Sequence, residues 1–432
     1  MKHWFRDRHF RSLLKNTGYL AVSKVVAGIA GLASLAFAGR GLGLAMFGML
    51  VLIHSYAQAA AGLTKFQSWQ IIIRYGGHAL RDGDQSKFKD ATGFALGLDM
   101  ASGLGGMLLA IALLPLIGPW FGIEQRYIGL AMLYCTLLPT MGSATPVGVL
   151  RSLDRFDLIS WQGTTYPIAR ALLAGIAFAY DAPFVAYLAI WYATDLGGDL
   201  FLWFLGWREL RRRKLREGIK PTLRPATLKD AWRFAIHVNL TGSITVALGP
   251  IARLIVGGLV GPAAAALFRV ASTLADSAQK PANMLAKAFY PEVVRMDLAT
   301  KKPWKLMLRG TALASAVAIL VIALLVIGGE ALVEALLGRE FLGAYPILLV
   351  LVLAPLVGIF TFGLPSMLYA LDRPDAPLKA KVAGALIYIA AVVPLTLHYG
   401  VIGAAVAYVI CFAATALIMV AQLAREYRRV RA

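Results

Sequence analysis

The chain of 432 residues is poor in charged residues, cysteine and histidine. Charged residues make up 15% of the sequence and hydrophobic residues 59%, whereas soluble domains contain about 25% and about 45–50%. The two cysteines, Cys135 and Cys411, lie in apolar stretches and therefore imply no disulfide framework. This composition excludes an ordinary soluble enzyme and predicts an all-α polytopic membrane protein.

The motifs of catalytic and metal sites are also missing. The sequence has no Walker loop, no Cys/His metal spacing and no His-Glu-x-x-His motif. His54 and His237 lie in apolar segments without an acidic residue nearby in sequence, and we interpret both as hydrogen-bonded packing residues. We therefore predict no enzymatic activity, no catalytic residue, no metal and no bound cofactor.

Apolar segments long enough to cross a bilayer occur twelve times along the chain. They form two groups of six, separated by a polar stretch with ten Lys/Arg residues. We predict an N-terminal six-helix bundle over 1–206, a basic cytoplasmic linker over 207–233 and a C-terminal six-helix bundle over 234–432. The predicted spans lie near 14–39, 45–73, 91–114, 127–150, 160–180, 183–206, 234–259, 263–289, 306–328, 343–370, 379–398 and 401–424.

The basic residues are distributed unequally between the two sides of the membrane. Through the twelve predicted spans, 33 of the 43 Lys/Arg fall on one side, while only Arg40, Arg126 and Arg339 fall on the other. Such an excess marks the cytoplasmic face, so both termini are predicted to be cytoplasmic. The net charge of +20 therefore reflects topology, not nucleic-acid binding. The first apolar run follows basic residues as in a secretory signal, but its length and Lys24 within it favour a first span.

Ionisable residues inside the predicted spans indicate a water-filled path, a substrate site or an ion relay, because charge in hydrocarbon is costly. The spans hold more basic than acidic residues, and three positive charges would remain if every acid were paired. An anionic substrate is therefore predicted. The candidates for binding it are Lys24, Lys65, Arg170, Arg253, Arg269, Lys280 and Lys287, and the candidates for ion coupling or counter-ion service are Asp99, Asp195, Asp199 and Asp276.

Two of these spans have informative spacing. In 263–289, polar residues recur every three or four positions and form one helical stripe, which either lines a cavity or places its end residues at opposite interfaces. In 183–206, two aspartates lie four residues apart, and they either hold H+ or Na+ for coupling or neutralise basic residues of other spans. The stripe consists of Arg269, Thr273, Asp276, Lys280, Asn283 and Lys287, and the aspartates are Asp195 and Asp199.

Short motifs connect the whole chain to a known superfamily. They are Leu14-Lys15-Asn16-Thr17, Ala38-Gly39-Arg40-Gly41-Leu42-Gly43 with Phe47-Gly48, Trp69-Gln70-Ile71-Ile72-Ile73-Arg74-Tyr75-Gly76, Gly148-Val149-Leu150-Arg151 with Asp154-Arg155-Phe156, and Leu267-Phe268-Arg269-Val270-Ala271. With these motifs the chain resembles the polysaccharide-exporting branch of the multidrug/oligosaccharidyl-lipid/polysaccharide (MOP) flippase superfamily. The opening of the second span, Gly43 to Gly48, also has a counterpart in Gly261 to Phe268. Two halves of six spans share one orientation, which predicts a pseudo-twofold axis along the membrane normal, as in MATE-like folds.

The resemblance implies an inner-membrane flippase with alternating access. Such a protein moves polyprenyl-pyrophosphate-linked oligosaccharide to the outer leaflet for O-antigen, capsule or exopolysaccharide synthesis. Lipid-linked oligosaccharide and membrane lipids are the expected partners, with a polysaccharide polymerase and chain-length proteins as further candidates; coupling to H+ or Na+ stays open. The alternatives are a MATE-type multidrug exporter, whose cavity should favour carboxylates and aromatics, and a membrane polymerase or ligase.

Overall fold

The computed structural model describes residues 8–279, 301–371, 373 and 375–431. Within these ranges every regular element is a helix, which confirms the all-α fold class. The principal helices are α1 (Arg8–Thr64), α2 (Trp69–Ile71), α3 (Gly77–Arg81), α4 (Gln85–Ile117), α5 (Ile128–Cys135), α6 (Ala144–Ser152), α7 (Phe156–Ala179), α8 (Phe184–Arg212), α9 (Ala231–Leu259), α10 (Pro262–Ser277), α11 (Lys301–Leu337), α12 (Ala344–Leu351), α13 (Leu353–Phe360), α14 (Leu364–Ala370) and α15 (Asp375–Arg431).

The two longest helices each contain a break at a glycine. α1 and α15 both run for 57 residues, about three times the length that a ~30 Å hydrocarbon core requires. Gly43 in α1 has φ 68° and Gly400 in α15 has φ 58°, and residues other than glycine rarely adopt such positive φ values. Both breaks lie in predicted connections between spans, so the structure confirms the division of these two regions.

Several helices have the length and the surface of membrane-spanning segments. In the described part of the chain, five stretches meet the length and hydropathy expected of a span: Ser23–Thr64, Gln85–Ile117, Met307–Leu337, Ala344–Leu368 and Asp375–Glu426. Their outer faces expose large apolar side chains, such as Leu108 at 64% and Ile327 at 85%. An apolar surface of this kind is typical of helices that face lipid. The protein is therefore a multi-pass membrane protein, while twelve as the number of crossings stays a prediction.

The fourth predicted span, 127–150, is two helices and not one. α5 ends at Cys135 and α6 begins at Ala144. The residues between them, 136–143, form successive turns that end at Gly142 and Ser143, both with positive φ. We call 136–143 the α5–α6 break; its carbonyl groups need partners outside the helix.

By packing, the chain divides into two compact units with limits that differ from the predicted bundles. The first comprises the described residues of Met1–Leu42, Ile53–Pro119 and Glu124–Pro250, and the second those of Gly43–Leu52, Trp120–Ile123 and Ile251–Ala432. In the first unit α7 packs along α8, and α6 packs against α8. In the second unit α12 contacts both α10 and α15, and α11 contacts α13.

The predicted linker 207–233 is folded onto the first unit. Residues 207–212 continue helix α8. Further along, Thr222 donates its N–H to Gly93 O at 3.1 Å, and Thr227 donates both its N–H and its hydroxyl to Asp90 at 2.7 Å. The linker is therefore anchored to the start of α4.

An ionic cluster joins the end of α8 to the start of α7. Arg155 donates to Glu209 at 2.7 Å and to Asp157 at 2.8 and 2.9 Å, and Arg213 donates to Glu209 at 3.0 Å. Burial raises the pKa of Glu209, but hydrogen bonds from Arg213 and Arg155 outweigh burial and leave the pKa below its usual value. The hydrogen bond from Arg155 likewise lowers the pKa of Asp157. Both carboxyl groups are thus held in the charged form.

We expect Glu209→Gln to lower the free energy of unfolding by about 1–3 kcal/mol at pH 7, because Arg155 loses a charged acceptor. Since the folded pKa of Glu209 is depressed, its stabilisation is present above the usual carboxyl pKa of about 4.3 and is lost as the pH falls through the folded value. Thermal unfolding in detergent at pH 7 and below pH 4 measures the effect. Glu217→Gln, an exposed position in the same segment, is the control. Equal melting temperatures for wild type and Glu209→Gln at pH 7 would contradict the prediction.

Candidate functional site

The first unit contains a polar cavity of about 450 Å³. Helices α1, α7 and α8 and the α5–α6 break form its wall. More than half of the lining side chains carry polar or charged groups, although the surrounding helices are apolar. The lining residues are Ser23, Lys24, Ala27, His54, Gln58, Met141, Gly142, Ser143, Ile159, Gln162, Gly163, Tyr166, Asp195, Gly198, Asp199 and Leu202.

Asp195 is the most heavily contacted carboxylate of this wall. Arg170 forms an ion pair with it through Nη2, and Tyr134 donates its hydroxyl to Oδ2 at 2.6 Å. His54 Nε2 lies 3.6 Å from the same Oδ2 atom. The side chain of Asp195 is only 14% exposed. Asp195 is therefore ion-paired within its own chain, and its two predicted roles, counter-ion and coupling group, stay predictions.

Arg170 is held on several sides by groups of its own chain. Its Nε donates to Thr194 Oγ1 at 2.8 Å, and its guanidinium lies 5.2 Å from the Trp191 ring centroid and 5.7 Å from that of Tyr166. The bonds to Thr194 and Asp195 use two of the five guanidinium N–H donors, and the aromatic rings lie beside the group. The structure thus places Arg170 behind the cavity wall, as a support for Asp195.

Asp199 lies one turn beyond Asp195 on α8 and lines the same cavity. Ser143 donates to its Oδ1 at 3.0 Å. Among the described residues no basic group lies within ion-pair distance of Asp199. Lys24 also lines this cavity. No acidic group of the described residues lies within ion-pair distance of its ammonium group. Lys65 acts electrostatically on Asp199. Asp199 and Lys24 are therefore ionisable side chains of this wall that form no ion pair with a described residue.

Lys65 and Asp99 stabilise the α5–α6 break instead of lining the cavity. The Lys65 ammonium donates to the carbonyls of Pro139, at 3.1 Å, and of Met141. Asp99 is 2% exposed and accepts bonds from Ser68 at 2.6 Å and from the N–H and hydroxyl of Thr145 at 2.8 and 2.7 Å. The Asp99 carboxylate also acts electrostatically on Lys65. These two residues therefore satisfy backbone groups that the break leaves without helical partners.

The predicted ionisable residues of the second unit also come together. Arg253 on α9 is 5% exposed, and its electrostatic neighbours are Arg269 and Asp276 on α10 and Tyr408 on α15. Lys280 and Lys287 lie outside the described residues. The described ranges therefore place five of the seven predicted basic residues and all four of the predicted acidic residues.

Sequence reasoning missed several residues of the first unit, Ser143 and Gln162 of the cavity wall among them. His54 and Gln58 line the cavity, and Tyr134 supports Asp195. His54 was interpreted as a packing residue because no acid is near it in sequence, yet Asp195 lies beside it in space. The available signal was the spacing of His54 and Gln58, four residues apart on one helix face.

Comparisons with known proteins agree with this architecture. A family model described as "Polysaccharide biosynthesis protein" matches residues 13–297. Inner membrane protein YghQ of Escherichia coli (strain K12) is 39% identical over 350 residues, which cover 81% of this chain and 99% of YghQ.

Solved structures with a similar fold are transporters and flippases. An inward-facing multidrug resistance MATE family transporter of the MOP superfamily has a TM-score of 0.73 at 15% identity, covering 95% of this chain and 99% of its own. Lipid II flippase MurJ in an inward closed conformation has a TM-score of 0.62 at 13% identity, covering 95% and 89%. At these identities the likeness shows a common fold. The chain therefore belongs to the polysaccharide biosynthesis protein family, as a multi-pass membrane protein with the MOP superfamily fold.

Proposed function

We propose that this protein flips polyprenyl-pyrophosphate-linked oligosaccharide from the cytoplasmic to the outer leaflet by alternating access. The observation that carries the proposal is a polar cavity inside apolar helices, in a member of the polysaccharide biosynthesis family. A saccharide and a diphosphate cannot cross about 30 Å of hydrocarbon without such a wet path. The prenyl chain is apolar and can stay in the lipid.

The proposed product is a lipid-linked unit for O-antigen, capsule or exopolysaccharide assembly. A polysaccharide polymerase and chain-length proteins would then act next on the outer leaflet. Coupling to H+ or Na+ is part of the proposal, and Asp199 is its strongest candidate because no basic group of the described chain lies within ion-pair distance. Both termini are proposed to be cytoplasmic.

A deletion strain tests the flippase proposal directly. We expect lipid-linked oligosaccharide to accumulate on the cytoplasmic leaflet, because synthesis continues while transfer stops. The measurement is the amount and sidedness of this lipid, by accessibility of its sugars to a membrane-impermeant reagent in oriented vesicles. Normal transfer to the outer leaflet would contradict the proposal. Accumulation on the outer leaflet would instead point to a polymerase or ligase.

A multidrug exporter is the second candidate function. Asp195, Asp199 and Tyr166 in the cavity wall provide the carboxylates and the aromatic ring that bind organic cations. Lys24 in the same wall counts against it, since like charges repel. Increased sensitivity of the deletion strain to cationic drugs, with normal lipid-linked oligosaccharide, would favour this function.

A further inference from the structure

We propose that the cavity of the first unit is a saccharide subsite, which binds uncharged sugar rings of the transported lipid and not its diphosphate group. This inference rests on the proposed flippase function and assigns one part of the substrate to one part of the chain. It differs from the expectation that the basic residues of the spans together bind the anionic part of the substrate.

The charges of the cavity wall argue against a diphosphate ligand. Two of the three basic span residues in the first unit are occupied by the chain itself: Arg170 by Asp195, and Lys65 by backbone carbonyls. Only Lys24 remains without an acidic group within ion-pair distance in the described structure, and Asp199 in the same wall opposes it. A diphosphate carries at least two negative charges, whereas Lys24 is the one lysine or arginine among the lining residues and shares the wall with the Asp199 carboxyl group.

The hydrogen-bonding groups of the wall match a sugar. Gln58 and Gln162 carry amide groups that both donate and accept, and Ser143 and Tyr166 carry hydroxyls. The Asp199 carboxylate accepts from Ser143 through one oxygen. A carboxylate has about four acceptor positions and can therefore also accept from neighbouring hydroxyls of a sugar ring. Such charge-assisted bonds are about twice as strong as neutral ones.

The position of Asp199 is fixed from two sides. α8 carries it next to Gly198, whose carbonyl accepts from Gln162 Nε2 at 2.9 Å. Ser143, at the end of the α5–α6 break, donates to its carboxylate. Because helix and break hold the group in place, the carboxyl group is oriented before a ligand arrives. The cavity volume, about 450 Å³, lies in the range of small-molecule pockets and accommodates a short stretch of saccharide.

The test compares two forms of one substrate. The probe is the lipid-linked saccharide fraction extracted from the deletion strain, used intact and as the free saccharide released by mild acid. Binding to the purified full-length protein is measured by calorimetry. We expect Asp199→Asn to weaken binding of the free saccharide about 10- to 100-fold, because the loss of one or two charge-assisted bonds has this effect. Gln162→Leu should act in the same direction.

Two variants serve as controls. Asp181→Asn makes the same chemical change at an exposed position outside the cavity and should bind like the wild type. Lys24→Met should change binding of the intact lipid and of the free saccharide to the same extent, because the subsite does not bind the diphosphate. The subsite is overturned if Asp199→Asn binds both forms as Asp181→Asn does. It is also overturned if the wild type binds the intact lipid but not the free saccharide. In both cases the flippase proposal stands. If the wild type binds neither form, the flippase proposal itself fails.

Discussion

Replacing Asp99 by leucine is expected to destabilise the first unit by about 3–5 kcal/mol, because it leaves buried polar and charged groups without their partner. Asp99 accepts hydrogen bonds from Ser68 and from two groups of Thr145, and its charge lies near that of Lys65. The first N–H groups of α6 have no acceptor within the helix, so the replacement of Asp99 destabilises the start of that helix. Thermal unfolding of the purified protein in detergent measures the effect.

The isosteric variant separates hydrogen bonding from charge. Asp99→Asn keeps a carbonyl oxygen for Thr145 but loses the charge beside Lys65, and we expect a smaller loss of about 1–3 kcal/mol. Asp82→Asn, at an exposed position after α3, is the matched control and should be neutral. A melting temperature of Asp99→Leu equal to that of the control would show that this cluster does not stabilise the fold.

Breaking the Arg170–Asp195 pair is the second change with a large expected effect. Arg170→Met leaves Asp195 with Tyr134 and His54 alone, and Asp195→Leu leaves a buried guanidinium among aromatic rings. Each single replacement should cost about 3–5 kcal/mol of stability, since it leaves one charge uncompensated in a poorly solvated site. Export should fall in both, because Asp195 and its neighbours form the cavity wall.

A double-mutant cycle tests the pairing itself. The combined Arg170→Met and Asp195→Leu variant should lose less stability than the sum of the single losses, with an interaction energy of roughly 1–3 kcal/mol. The exposed pair Arg126–Glu124 offers a matched comparison, because its side chains are 65% and 49% exposed and such pairs contribute about 0–1 kcal/mol. Strictly additive losses at Arg170 and Asp195 would contradict a direct coupling.

Whether the sequence predicts a structural feature depends on how far apart the interacting residues lie along the chain. Gly43 and Gly400 interrupt apolar runs that are too long for one span, and both breaks could be located from the residues around them. The α5–α6 break could not, since its apolar run continues through Pro139 and its carbonyls are satisfied by Lys65, 74 residues away. Local sequence patterns indicate how long a helix is. Side chains that are distant in sequence supply the hydrogen bonds that allow a helix to end at a given residue.

The sequence likewise identified some residues of the candidate site and not their contacts. The sequence identified Lys24, Asp195 and Asp199 as ionisable residues inside spans, because their depth follows from the apolar run around them. It could not separate Lys24, which lines the cavity, from Arg170, whose charge is matched by Asp195. It also passed over His54, whose acidic neighbour lies on α8.

By itself the sequence determined the all-α membrane class, the positions of the apolar segments and the family, since composition, run length and short motifs are properties of the chain alone. Only the tertiary structure decided which charges meet. The side chains of two successive residues in a helix point in directions about 100° apart. Ion pairs such as Arg170 with Asp195, and hydrogen bonds such as Lys65 to Pro139, therefore depend on how separate helices pack, and no local pattern encodes that arrangement.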